Sequence, residues 1–90
     1  MKVNKIVYSS SFIHRLKKLP KEISKIIIKK EQLLKSNPLH PPLRLHALRG
    51  KLLGYWSISL NSNYRIIFEQ QENGEVLFMS VGKHDIYKSL

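Results

Sequence analysis

Two imidazoles and one guanidinium in the second half of this 90-residue chain, His46, His84 and Arg65, are the groups best suited to chemistry on a phosphodiester. In RNA that chemistry is attack of a ribose 2′-hydroxyl on the adjacent phosphate. It needs a base for the hydroxyl, a cation for the crowded phosphoryl oxygens and an acid for the departing 5′-oxygen. Imidazole suits proton transfer because its unperturbed pKa is about 6.5. Guanidinium suits the phosphate because its fixed fork donates two hydrogen bonds at once. The scheme requires no metal.

Their settings differ from those of the other histidines. His46 lies in an alternating apolar and polar segment between Arg44 and Arg49. His84 follows Gly82-Lys83 at the expected end of a strand, with Asp85 and Tyr87 just after it, so that His, Lys and Tyr are delivered into one small volume. Arg65 is isolated in an otherwise apolar strand, Tyr64-Arg65-Ile66-Ile67-Phe68. Such an Arg either faces water on the open side of a sheet or meets His46 and His84 there. Strand order decides between the two, and sequence does not fix it. His14, on a helix away from its apolar stripe, and His40, in a proline-rich linker, read as surface residues.

The elements that must position these groups can be read from periodicity. Val3 to Tyr8 is rich in β-formers and reads as a short strand. Ser9, Ser10 or Ser11 can cap a helix with Phe12, Leu16 and Leu19 near one face. Pro20 ends that helix and suits the first turn of another, from Lys21 to Ser36. There Ile23, Ile26, Ile27, Leu33 and Leu34 gather on one side, Ile28 falls off the stripe and Lys30 falls within it. The pair is expected to form an antiparallel helical hairpin. Asn37-Pro38 stops the second helix, and Pro41-Pro42 forces an extended linker.

Beyond the linker the pattern alternates, with Leu43, Leu45 and Ala47 opposite Arg44, His46 and Leu48. Gly50 and Gly54 bracket a turn before a strand from Tyr55 to Leu60, whose Trp56, Ile58 and Leu60 form one side. Trp56 is therefore expected in the core. Asn61-Ser62-Asn63 turns into a strand from Tyr64 to Glu69, and Asn73-Gly74 signals a hairpin into Glu75 to Val81. Gly82 is expected to break that strand, leaving His84 to Leu90 as a short tail. The reading is one α+β domain over residues 1–90, with an N-terminal strand and a helical hairpin packed on a three- to four-stranded antiparallel meander sheet.

Charge points to the partner. Sixteen Lys and Arg against six Asp and Glu leave a net charge of +10, a field that attracts polyanions. Lys25 and Lys29 belong to the basic side of the second helix, either a solvated face or a rail for phosphates; Arg44, Arg49 and Lys83 are further candidates for RNA contact. With so few acids, three of them between Glu69 and Glu75, a carboxylate metal site is not expected, and neither is a small-molecule cofactor. No Gly-rich phosphate loop and no Ser-His-Asp spacing is present. The absence of Cys excludes disulfides, and no signal-peptide core or membrane-spanning run is seen, so a cytoplasmic location is expected.

Four stretches carry a resemblance: Pro42 to Gly50 (PLRLHALRG), Gly54 to Leu60 (GYWSISL), Tyr64 to Phe68 (YRIIF) and Val81 to Tyr87 (VGKHDIY). In order and spacing, behind a helical hairpin, the chain resembles the RelE/ParE toxin superfamily over most of its length. The resemblance implies a toxin of a type II toxin–antitoxin pair, restrained by an acidic antitoxin, that enters the ribosomal A site and cuts messenger RNA there. It implies catalytic roles for His46 and His84, matching histidines of YafQ-like members, and for Arg65, matching the phosphate-binding Arg of RelE-like members. Tyr87 matches the C-terminal aromatic that stacks on or orients the substrate base. Ser59 and Asn63 stand where YafQ-like toxins have a second His and an Asp. Two other readings stay open: a ParE-like gyrase inhibitor, or a non-catalytic binding module on the same fold.

Overall fold

The structure, a computed structural model, describes residues 1–88. In chain order its elements are β1 (Lys5–Tyr8), α1 (Ser10–Leu16), α2 (Lys21–Ser36), β2 (His46–Ala47), β3 (Tyr55–Ser59), β4 (Tyr64–Gln70) and β5 (Glu75–Lys83). Short 3-10 turns occupy Pro41–Leu43, Gly50–Leu52, Glu72–Gly74 and His84–Lys88. β2 to β5 make the expected antiparallel meander, while β1 pairs in parallel with β5, giving the order β1-β5-β4-β3-β2. This is the expected α+β layout, with both helices on one face of the sheet.

Ser9 caps α1. Its hydroxyl accepts the Phe12 N–H at 3.0 Å, satisfying one of the unpaired amides at the helix start. The same hydroxyl lies 3.2 Å from the Met79 carbonyl, and the Ser9 N–H donates to Phe78 at 3.0 Å, so the cap also fastens α1 to β5. The apolar stripe of α2 turns Ile23, Ile27 and Leu34 inward. They meet Phe12 of α1 and the sheet residues Ile58, Ile66, Phe68, Val76, Phe78 and Val81 in one core. The Phe12 and Phe78 rings lie 5.3 Å apart, and the Tyr8 ring packs 4.6 Å from Phe12. Tyr8 donates its hydroxyl to the Glu31 carboxylate of α2; burial and the nearby carboxylate push its pKa well above the ordinary phenol value.

β5 breaks strict alternation. Ile67 of β4 faces Ser80, yet Phe68 faces Phe78, so Met79 is an extra residue in the ladder. The bulge lets Phe78 and Val81 both enter the core. It also puts Ser80 and Gly82 on the opposite face, beside Ile67 and Arg65. Ser57 and Ser59 of β3 share that face.

Several expectations need correction. Gly82 does not end β5, which runs to Lys83. Its missing side chain instead makes room for Ile86, whose Cγ2 occupies the place a Cβ would take. The expected tail is a 3-10 turn, His84–Lys88, folded back on the sheet; Ser89 and Leu90 lie outside the described residues. This cover is why Ser57, Ile67 and Ser80 are fully buried on a face that sequence alone makes look open. The alternating run beginning at Leu43 is interrupted, because Pro41–Leu43 coils and Arg44 turns left-handed, leaving only His46–Ala47 as strand. Trp56 packs against the core but is only half-buried, since its strand neighbours the short edge strand β2. Val3 is buried, although β1 begins two residues later.

Two predictions follow from the packing of the second face. Gly82→Ala should destabilise the protein by about 1–3 kcal/mol through overlap with Ile86. Ile86→Ala should recover much of that loss in the double variant, and denaturant unfolding of the four proteins measures the coupling. Additive effects would contradict the packing. The Ser80 hydroxyl is buried with no hydrogen-bond partner among the described residues, so Ser80→Ala should leave stability unchanged or raise it by about 1 kcal/mol. A clear fall in its melting temperature would show the hydroxyl to be satisfied.

Candidate active site

One cavity of about 480 Å³ opens on the sheet face away from the helices. His46, Arg65, His84 and Tyr87 line it together with Arg44, Arg49, Ser59, Leu48 and Leu52. Strand order accounts for the meeting. His46 pairs with Ser57 across β2 and β3, Ser59 pairs with Arg65 across β3 and β4, and Arg65 pairs with Gly82 of β5, two residues before His84. Standard strand spacings then separate the His46 and Arg65 Cα atoms by about 12 Å, leaving room between the side chains for a phosphodiester.

Each group is held by the backbone or by a neighbour. Nδ1 of His46 lies 2.9 Å from the Arg44 carbonyl. A carbonyl can only accept, so Nδ1 carries a proton, and in the neutral ring Nε2 then presents its lone pair as a base. Arg65 donates through Nη1 to the carbonyls of Asn61 at 2.8 Å and Tyr64 at 3.1 Å. Those bonds fix the guanidinium plane, and its other nitrogens make no hydrogen bond among the described residues. His84 meets the Tyr87 ring edge to face, with centroids 5.0 Å apart and planes at 77°. The Tyr87 hydroxyl lies 2.9 Å from the Ser57 hydroxyl, tying the C-terminal turn to β3.

Among the described residues the lining has three guanidiniums, two imidazoles and no carboxylate, a charge set complementary to a phosphate. Arg44 is held in the left-handed region at φ 49° and ψ 43°. That conformation costs a non-glycine residue about 1–2 kcal/mol. The Leu43 and Arg44 amides donate to His40 and Pro41 at 3.0 Å, and Leu43 is buried beneath, so the turn is fixed by its own bonds and by the core. Among the described residues no group of three or more His, Cys, Asp or Glu is placed to hold a metal ion, and no helix is long and apolar enough to cross a membrane.

Of the residues singled out from sequence, His46, Arg65, His84, Tyr87, Arg44 and Arg49 come together here. Lys83 does not join them; it lines a separate cavity between α1 and the end of β5. Lys25 and Lys29 stand exposed on α2 and do not line the site. His14 is exposed on α1, and His40 borders a small cavity in the linker. Sequence reasoning missed Ser57 as the anchor of Tyr87, and it missed Leu48 and Leu52 as apolar wall. The alternation of Ser57 and Ser59 with Trp56 and Ile58 put both serines on the right face, but nothing local signalled what they would touch.

The sequence profile of the HigB-like toxin family, described as RelE-like toxin of type II toxin-antitoxin system HigB, matches residues 7–84. No curated protein sequence matches the chain significantly. Among solved structures, YafQ from E. coli strain BL21(DE3) superposes with a TM-score of 0.78 at 19% identity, covering 96% of this chain and 98% of that one. The YoeB/ParE toxin from Agrobacterium tumefaciens gives 0.73 at 18% identity, covering 90% and 99%. A chain of the toxin-antitoxin complex RelBE2 from Mycobacterium tuberculosis gives 0.72 at 21%, covering 93% and 94%. At these identities the structures speak to the fold, and the profile, spanning most of the chain, speaks to descent. The protein belongs to the HigB-like family of RelE-like toxins of type II toxin–antitoxin systems.

Proposed function

We propose that the protein is an endoribonuclease toxin that cuts messenger RNA in the ribosomal A site, by attack of a 2′-hydroxyl on the adjacent phosphate without a metal ion. The observation that supports this most is the shared cavity of His46, Arg65 and His84, three groups far apart in sequence, which no carboxylate lines among the described residues. His46 is the base, since its Nδ1 is engaged by a carbonyl and Nε2 is left to take the 2′-hydroxyl proton. Arg65, with Nη1 anchored, turns its remaining edge to the phosphoryl oxygens and holds the charge that builds there. His84 in its protonated form gives the leaving 5′-oxygen its proton. The bond from the 2′-oxygen to phosphorus forms, the bond to the 5′-oxygen breaks, and the products are a 2′,3′-cyclic phosphate and a 5′-hydroxyl end. Tyr87 offers a ring face to a base while its hydroxyl keeps the turn docked.

The partners in this reading are mRNA and the ribosome, reached through the +10 charge, and an acidic antitoxin made alongside the toxin. Toxin–antitoxin complexes are recorded for similar folds, as in DinJ–YafQ from E. coli.

His46→Ala and His84→Ala should each lower cleavage by about 10²–10⁴-fold, and Arg65→Ala by about 10²–10³-fold, with little change in melting temperature. Primer extension on messages from expressing cells measures this. Full toxicity in a folded His46→Ala/His84→Ala double variant would end the assignment. DNA damage without cuts in translated codons would move the reading to a gyrase inhibitor. Co-expression of a short acidic protein encoded next to the toxin should restore growth, and failure to form a complex would remove that protein as the antitoxin.

A further inference from the structure

We infer that the groove continues past Arg65 into a second nucleotide subsite, where Lys30, Arg44, Asn61 and Ser62 hold the RNA residue next to the cut; this rests on the nuclease reading above. A second cavity, also of about 480 Å³, lies against the first, and the two share Arg44, Ser59 and Arg65 as a common wall. Both are large enough for a small ligand, and a chain passing through both crosses the Arg44–Arg65 divide. Among the described residues no carboxylate lines the second cavity either.

Three features make it a site for a nucleotide rather than a shallow fold in the surface. Lys30 is not part of the solvated rail of α2. It falls on the apolar side, one turn from both Ile27 and Leu34, is half-buried and lines the cavity, as suits a side chain that buries an apolar stem and offers an ammonium at its end. Arg44 is held left-handed, a conformation glycine would adopt without strain, and the residue lines both cavities. Asn61 is fixed in a turn, its Oδ1 accepting the Asn63 and Tyr64 amides at 2.9 Å and its carbonyl accepting from Arg65. The Asn61 side-chain amide still has donors to offer, and beside it Ser62 presents an exposed hydroxyl. Two cations for a phosphate and an ordered amide–hydroxyl pair for a base or ribose edge are the recognition set for one nucleotide.

The test uses RNA oligomers of two, three and four nucleotides bearing 2′-O-methyl groups, which bind but cannot be cut. Affinity should rise several-fold once the oligomer is long enough to enter the second cavity, with amide shifts at Asn61 and Ser62 that the dinucleotide does not cause. Lys30→Ala should abolish that gain and reduce the salt slope of binding by about 0.7, while Lys30→Arg should keep it. Ser62→Glu, at an exposed turn position, should also abolish the gain with no loss of stability, and so covers the case of Lys30→Ala unfolding. An equal length gain in wild type, Lys30→Ala and Ser62→Glu overturns the subsite. Shifts confined to His46, Arg65, His84 and Tyr87 overturn it and leave the nuclease reading standing. No shift with any oligomer also overturns the subsite, and the nuclease reading is then decided by the primer extension described above.

Discussion

Met79 is one residue more than the ladder between β4 and β5 can pair, and the bulge it forms sets the two faces of the sheet. Before it, Phe78 points with Phe68 into the helical core; after it, Val81 does the same, while Ser80 and Gly82 turn to the other side. Without the extra residue, continuous alternation would drive either Phe78 or Val81 out of the core. Gly82 would then no longer stand beside Arg65, and Ile86 would lose its seat. The C-terminal turn that brings His84 and Tyr87 to the cavity therefore depends on one irregularity near the middle of the sheet.

The distribution of charge complements this geometry. Three of the six acidic residues, Glu69, Glu72 and Glu75, cluster at the hairpin end of β4 and β5, about 13 Å or more along the strands from Arg65. Glu31 is engaged by the Tyr8 hydroxyl, and Asp85 borders the separate cavity near α1. Among the described residues none of the six acids lines either cavity, so both are walled by cations where they open. That suits a ligand recognised by its backbone charge first and by its bases second.

Local rules made much of the architecture legible, and the remainder depended on contacts between distant parts of the chain. The stripe of α2 announced Ile23, Ile27 and Leu34 as core because helical burial follows a 3.6-residue period. Ser9 was one of three possible caps, and its bond from the Phe12 amide together with its bonds to β5 distinguishes it. The meeting of His46, Arg65 and His84 could be stated from sequence only as a condition on strand order, which is a long-range property. Gly82 was misjudged because a glycine without positive φ is explained by what packs against it, here a side chain four residues on that belongs to a separate turn. Lys30 looked like a flaw in an apolar stripe. The same misfit is what takes it to a cavity wall instead of to water.

The parallel pairing of β1 with β5 has a further meaning for how such a protein comes into being. The Ser9 hydroxyl reaches the Met79 carbonyl across 70 residues, and the Phe12 ring needs Phe78 to complete its packing. Contacts of such long range raise the contact order, slow closure, and leave a nascent chain without the strand that joins β1 to β4 until residues 75–83 have emerged. The groove therefore cannot assemble until the segment that carries β5, His84 and Tyr87 has left the ribosome, however early the helices form.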